Sequence, residues 1–318
     1  MLLSGELEIT ESTTFVGAAN FAGNAGTLSG AGTLQGDVSG TGTISLAEID
    51  GNVNVSNGTT MTMSGTTAVS GDVNIYYGAA LPATRAAGTT ANATLKLAAG
   101  AKVSSSNIYN YGRILADNET ELSGNIVNAG TLIVNKDSTL KITDGSSFTN
   151  GNTAGSLAGT IDLTAFNSAI DFSAIADETK ITLNNGVVRI DATKLVAKDA
   201  LPVLGIEDET IFENLKIEDV GNYSLSDRFV WDAAAKELIF LGLNGENFHG
   251  TLYGDLQRES LNATYDFMRQ TLVRGGSRTL TPELYGAYKL QSPYMRGYIE
   301  KVRQRGGEVS AQLEAKRK

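Results

Sequence analysis

The sequence predicts an all-β chain built as a right-handed, three-sided parallel β-helix, followed by a C-terminal β cap and a short α-helical tail. Three observations predict it. Short period-2 apolar runs end at Gly, Asn or Asp; similar segments recur at offsets of 18 to 20; and no helical period is sustained before residue 250.

The recurrences are specific. Asn107-Ile108-Tyr109-Asn110-Tyr111-Gly112-Arg113-Ile114 matches Asn125-Ile126-Val127-Asn128-Ala129-Gly130-Thr131-Leu132 at an offset of 18. Gly51-Asn52-Val53-Asn54-Val55 matches Gly71-Asp72-Val73-Asn74-Ile75 at an offset of 20, and Asn24-Ala25-Gly26-Thr27-Leu28 returns at 128–132. Thr94-Leu95-Lys96-Leu97 returns as Thr139-Leu140-Lys141-Ile142. A coil of that length holds three short strands, and successive coils stack in parallel about 4.8 Å apart, with Val on Val and Leu on Leu inside. Thr, Ser, Asn and Asp then face water, and Asn107/Asn125 and Asn110/Asn128 are placed to form amide ladders at the corners. About ten coils fit in residues 1–195, the stalk. A flat sandwich also uses short strands and frequent turns, but it does not call for in-register recurrence.

After residue 195 the texture changes. Residues 196–250 hold longer hydrophobic strands, Arg228–Asp232 and Glu237–Leu241, around the only Trp, and are expected to cap the open end of the solenoid. Residues 251–318 form a helical linker or tail. Leu256, Leu261, Tyr265, Met268 and Leu272 keep helical spacing, and Thr281-Pro282-Glu283 and Ser292-Pro293 are helix starts. Charge divides at the same place: residues 1–250 carry 13 Lys and Arg against 28 Asp and Glu, residues 251–318 carry 12 against 7. An acidic body argues against nucleic acid as a partner.

The chain has 36 Gly, 4 Pro and no Cys. Frequent Gly without a triplet period favours tight turns over collagen. The missing Cys excludes disulfides and thiolate chemistry and is compatible with export through a narrow pore. No apolar run is long enough to span a bilayer, and the opening lacks the basic and apolar regions of a signal peptide. It reads as a strand, so an exported form is expected to have its leader elsewhere or to begin upstream.

Chemistry-bearing residues are sparse. His249 is the only histidine, which leaves no Ser-His-Asp triad or multi-His metal site; it reads as a loop residue. The Asp residues in Asp50-Gly51 and Asp144-Gly145 are explained by turn chemistry. Arg113 and Lys136 face the same way on neighbouring coils in this reading, as solvated charges. Glu207-Asp208-Glu209 is either a weak cation patch or a solvated acidic loop. The sequons at Asn57, Asn92, Asn118 and Asn262 are chance products of a Thr-rich chain. Tyr76-Tyr77 and Tyr109/Tyr111 form an exposed patch or pack on a neighbouring coil. No catalytic, cofactor-binding or metal-binding residue is assigned, and no cofactor.

Gly26-Thr27-Leu28-Ser29-Gly30, Ala31-Gly32-Thr33-Leu34 and Asn128-Ala129-Gly130-Thr131-Leu132 resemble the rungs of bacterial autotransporter (type V secretion) passenger domains. Phe229-Val230-Trp231-Asp232 with Leu238-Ile239-Phe240 looks like the strand pair that ends many passengers. The resemblance covers about residues 20–245. It implies a secreted or surface-displayed stalk of a Gram-negative bacterium, outside the cell, used in adhesion, spacing or self-association. Its partners would be a host or neighbouring-cell surface or a second copy. The outer-membrane barrel of such proteins has no counterpart in the helical pattern of 251–318. A β-helix polysaccharide lyase or hydrolase and a trimeric phage-type fibre are the alternatives.

Overall fold

Three columns of strands, each stacked in parallel and in register, account for nearly all the secondary structure of this computed structural model. It describes residues 1–76, 93–151, 157–195, 198–221 and 223–242. The expected helical tail at 251–318 and His249 lie outside the described residues, as does the end of the expected cap.

The first face is made by residues 6–8, 27–30, 42–46, 60–63, 94–97, 113–116, 131–134, 160–163, 187–190 and 216–219, each paired with the next. These ten strands define coils 1 to 10. The second face runs from 14–16 through 33–35, 48–50, 66–69, 102–105, 121–123, 139–142 and 169–171 to 203–204. The third runs from 19–21 through 38–40, 53–55, 72–75, 107–110, 125–128 and 147–150 to 181–182. Long strands such as Ala19–Gln35 run through all three faces, with their pairing interrupted and shifted in register at the corners.

The recurrences fall largely where the sequence puts them. Asn107 pairs with Asn125, Ile108 with Ile126, Asn110 with Asn128 and Ile114 with Leu132; Val53 pairs with Val73 and Asn54 with Asn74. Others do not. Thr94–Leu97 lies on the first face and Thr139–Ile142 on the second, so that likeness is not a coil repeat. Thr27 stands, coil by coil, in the column of Ile133 rather than of Thr131. Nor is coil length constant. The path from Leu95 to Ile114 to Leu132 is short at each step, whereas each step from Leu132 to Ile161 to Val188 to Ile217 is about half as long again. The parallel stack also passes residue 195, because 203–204 and 216–219 extend it.

The core is thin and deeply buried. Met61, Leu95, Ile114, Leu132, Ile161, Val188 and Ile217 form one inward column of the first face, each 0 or 1 % exposed. Each such side chain contributes about 1.5–3 kcal/mol of burial. Earlier in that column stand Gly26 and Gly42, and the volume is supplied from the third face by Phe21. A Cβ at Gly42 would lie 2.5 Å from the Phe21 ring. Deeper in the stack Phe148 and Phe172 meet edge to face at 5.1 Å.

Corners are made by a recurring four-residue turn between the first and second faces. Its third residue is left-handed: Ser12 (φ 63°), Gly100 (74°), Glu119 (54°), Asp137 (54°) and Asn167 (54°). In several turns the hydroxyl at the fourth position donates back to the first carbonyl, as Thr13 to Thr10 (2.5 Å), Thr120 to Asp117 (3.1 Å) and Ser168 to Ala165 (2.8 Å). In the turns at Thr13 and Ser168 the same carbonyl also accepts the backbone N–H of the fourth residue, so the side chain reinforces the turn.

At the far end, Phe229–Asp232 and Glu237–Phe240 pair antiparallel, with Trp231 against Phe212 at 5.6 Å. This hairpin joins the stack through Ala200 and Ile239, and Ser224 pairs antiparallel with Glu218 of the last first-face strand.

Because Gly112 and Gly130 occupy equivalent places, deleting residues 112–129 removes one whole coil and joins Tyr111 to Gly130 in register. That variant is expected to fold with one cooperative thermal transition, Asn110 meeting Asn150. Deleting only 113–129 leaves one extra glycine at this corner, where Gly112 and Gly130 already lie tight against the preceding coil, and is expected to melt at a lower temperature than the in-register deletion. Circular dichroism melts of the two check this.

Candidate functional site

The described residues present extended ladders of polar side chains. The most deeply placed is a column of amides where the third face turns into the first. Asn110, Asn128 and Asn150 are each 0 % exposed. Asn110 Nδ2 donates to Asn128 Oδ1 (2.7 Å) and to the Thr131 carbonyl (3.1 Å); Asn128 Nδ2 donates to Asn150 Oδ1 (2.9 Å) and to the Thr160 carbonyl (3.1 Å). Asn150 Nδ2 reaches the Val187 carbonyl at 3.3 Å, and Asn110 Oδ1 accepts from Gly112 N at 3.1 Å. Buried amides survive here because each coil supplies a donor or acceptor to the next. Sequence spacing located two of these residues as a ladder; their complete burial follows only from the corner geometry.

A second ladder is outward. At the start of the third face, Asp37 Oδ1 accepts from Asn52 Nδ2 (3.1 Å), Asn52 Oδ1 accepts from Asp72 N (2.9 Å), and Asp72 Oδ1 accepts from Asn107 Nδ2 (2.8 Å). Asn107 Oδ1 accepts from Asn125 Nδ2 (3.3 Å), and Asn125 Oδ1 from Ser147 Oγ (3.0 Å). Acid and amide alternate, so Asp37 and Asp72 stand two coils apart, about 9.6 Å. That is close to a Debye length at physiological salt, where like charges are largely screened.

The tyrosines lie beside this ladder. Tyr76 donates from its hydroxyl to Asn54 Oδ1 (3.1 Å), which also accepts from Asn74 Nδ2 (3.1 Å). Burial, with Asp72 and Asp37 nearby, pushes the Tyr76 phenol above its ordinary value, and burial and Tyr109 do the same to Tyr111. Tyr76, Tyr109 and Tyr111 are all half-buried, so none forms an open aromatic platform.

Other residues singled out by sequence are separated or already engaged. Arg113 opens its first-face strand opposite Thr131, whereas Lys136 lies beyond the end of the Thr131–Val134 strand, in the next turn, so the two are not brought together. Glu207, Asp208 and Glu209 do not converge. Glu207 pairs with Lys236, and Asp208 caps a 3-10 turn, Oδ1 accepting from Thr210 N at 2.9 Å. The backbone N–H groups of Glu207 and Asp208 donate to the Glu178 carboxylate at 2.9–3.1 Å. Asn57 and Asn118 sit exposed in turns; Asn92, Asn262 and Tyr77 fall outside the described residues. Among the described residues no group of three or more His, Cys, Asp or Glu is placed to hold a metal ion.

A cavity of about 330 Å³ opens where long loops leave coils 8 and 9; Phe166, Asp191, Lys194, Asp199 and Pro202 are among its lining. Asp191 and Lys194 are committed to structure there. Asp191 accepts from Thr193 Oγ1 (2.6 Å) and Thr193 N (3.1 Å) and pairs with Lys194 at 3.0 Å, while Lys194 donates to the Thr164 carbonyl. Burial alone would raise the Asp191 carboxyl; the hydrogen bonds from Thr193 and Lys194 outweigh it and hold it below the usual value.

Comparison with protein-family models, with curated proteins and with solved structures finds no significant match.

Two outcomes are expected. Asn128→Ala strands Asn150 Oδ1 and the Thr160 carbonyl inside the stack and costs about 2–4 kcal/mol, read as a lower denaturant midpoint. Asp191 is lower in the folded than in the unfolded chain, so its contribution is full above the unfolded value, about 3.9, and is lost as pH falls through the folded value. Asp191→Asn is therefore less stable at about pH 6 yet loses less on going from about pH 5 to about pH 2, checked by urea melts across that range.

Proposed function

We propose that this chain is a displayed structural stalk of the bacterial autotransporter-passenger type, wound as a right-handed β-helix whose far end is closed by the Phe229–Phe240 hairpin. It works outside the cell, at the bacterial surface, through adhesion, spacing or self-association. The observation that carries this reading is the ten-strand in-register stack, on whose faces amide, hydroxyl and carboxylate groups repeat coil by coil and bond to one another. Such ladders hold outward groups at a fixed spacing with little conformational freedom left to lose on contact, which favours binding by many weak, repeated interactions. The hairpin supports the capping role: its two strands pair with each other, and Ile239 bridges Ala200, just before the last second-face strand, so its own edge is not left to template end-to-end stacking.

Displayed on bacteria through an unrelated outer-membrane anchor, the full chain is expected to raise clumping or attachment above that of cells carrying the anchor alone. Removing one coil in register or adding ~1 M NaCl, where screening acts within about 3 Å, is expected to change that response. Attachment equal to the anchor-only cells in every condition overturns the reading.

A further inference from the structure

The outward residues of the first face carry a pattern that is not random along the stack. From coil 4 to coil 10 the central outward column reads Thr62, Lys96, Leu115, Ile133, Asp162, Arg189, Glu218. Beside it stand Thr60, Thr94, Arg113, Thr131, Thr160, Val187 and Lys216. Leu115 and Ile133 are half-buried apolar side chains on adjacent coils of a water-facing sheet, flanked one coil away by a cation on one side and an anion on the other.

We infer that this face docks a second copy of the chain, antiparallel along the stack, about a two-fold axis lying between coils 6 and 7 in the interface plane. It rests on the reading of the stack as a contact-making stalk and names its partner and face. The operation leaves strand position unchanged and exchanges coil 6 with 7, 5 with 8 and 4 with 9. Leu115 then faces Ile133 of the second copy, and Lys96 faces Asp162, twice over by symmetry. Arg113 faces Thr131, Thr94 faces Thr160, and Thr62 faces Arg189. At the outer edge Asp117 faces Asn135, a pair already bonded within one chain at 2.5 Å. No like charges are opposed. Neighbouring registers are worse: a slide of one coil in one direction sets Lys96 on Ile133, and in the other it sets Lys96 on Arg189 and Leu115 on Asp162. Charge complementarity therefore selects one alignment as well as one partner.

Lys96 and Asp162 are each only partly engaged within the chain. Lys96 holds Asp117 only at 3.6 Å with 44 % of its side chain exposed, and Asp162 is engaged by Thr164 N (3.1 Å) and Oγ1 (2.7 Å) through a single oxygen. The same operation sets coil 3 on coil 10, and eight coils at about 4.8 Å with strands about 13 Å long give ~500 Å² per copy. That is the size of a weak, reversible contact, which a cell surface carrying many copies multiplies.

Sedimentation equilibrium of the purified full chain, loaded up to ~1 mM, tests this. The chain is expected to dimerise reversibly. Lys96→Glu alone and Asp162→Lys alone each set like charges face to face at both ends and are expected to raise the dimer Kd about tenfold. An equimolar mixture of the two variants is expected to form heterodimers with affinity near that of the original. In that pair the introduced glutamate meets the introduced lysine, and the Lys96 retained by one variant meets the Asp162 retained by the other. Circular dichroism melts confirm that each variant is folded. A monomer at all loadings, single variants that associate as before, or a mixture no tighter than its components overturns the inference. A chain that stays monomeric yet still attaches cells to surfaces overturns the docking alone and leaves the stalk reading standing.

Discussion

Register is the constraint on which everything else in this molecule depends. Each strand contributes only one or two inward side chains, so a slip of one residue would expose the whole inner set and bury Thr, Ser and Asp. Apolar side chains alone do not prevent such a slip, since Val, Leu and Ile are nearly interchangeable in the inward columns. The corner between the third and first faces does prevent it. There Gly112 and Gly130 bring backbone so close to the preceding coil that a Cβ would collide with the Ala93 carbonyl and the Gly112 carbonyl, respectively. Arg113 N and Thr131 N donate across the same contacts at 2.9 Å. Next to that glycine stair runs the buried Asn110–Asn128–Asn150 column, which bonds only when like meets like. Shape and hydrogen bonding together specify one alignment where hydrophobicity would accept several.

The charges obey the same geometry. Residues 1–76 hold seven acids and no Lys or Arg, which on a compact surface would repel. In the stack, Asp37 and Asp72 are spaced by Asn52, and Asp50 accepts from Ser70 Oγ (2.9 Å) and Gln35 Nε2 (3.3 Å) on its neighbouring coils. Later coils bring opposite charges together instead, as Lys102 with Glu121 at 2.9 Å. Exposed pairs of this kind contribute little each. Their consequence is a surface whose sign varies in steps of one coil, which gives one face a means of recognising another.

Much of this was legible in the sequence where the coils are plain. Asn107/Asn125, Asn110/Asn128 and Val53/Val73 are register partners whose coils happen to advance by 18 and 20 residues, the offsets at which the sequence repeats. The misreadings share one cause. A strand such as Thr94–Leu97 or Thr139–Ile142 has the same alternation on any face; which face it joins is decided by the residues counted since the previous corner, and corners vary. The same variation hides the longer advance of coils 8 to 10 from any search at a fixed period. Burial of Asn110, Asn128 and Asn150 was equally hidden, because asparagine is ordinarily an exposed residue and only the stacked corner makes it an interior one. The outward Lys96–Leu115–Ile133–Asp162 order cannot be read without first knowing that Ile133 and Asp162 are neighbours.

Variable corners and invariant faces follow from one energetic asymmetry. Lengthening a loop costs entropy only logarithmically, about 0.6 kcal/mol for each doubling, whereas shifting a face by one residue forfeits several buried side chains and the amide column at once. Residues can therefore be added at the corners, as they are between coils 7 and 8 and after coil 9, while the strands they connect keep their partners. A surface written on the faces is then indifferent to loop length but sensitive to coil number. Lys96 and Asp162 are far apart along the chain, yet what matters is that only three steps along the stack separate them. Recognition built on coil count lets the corners diverge freely, and it ties any contact made by a face to the same interactions that hold the coils in register.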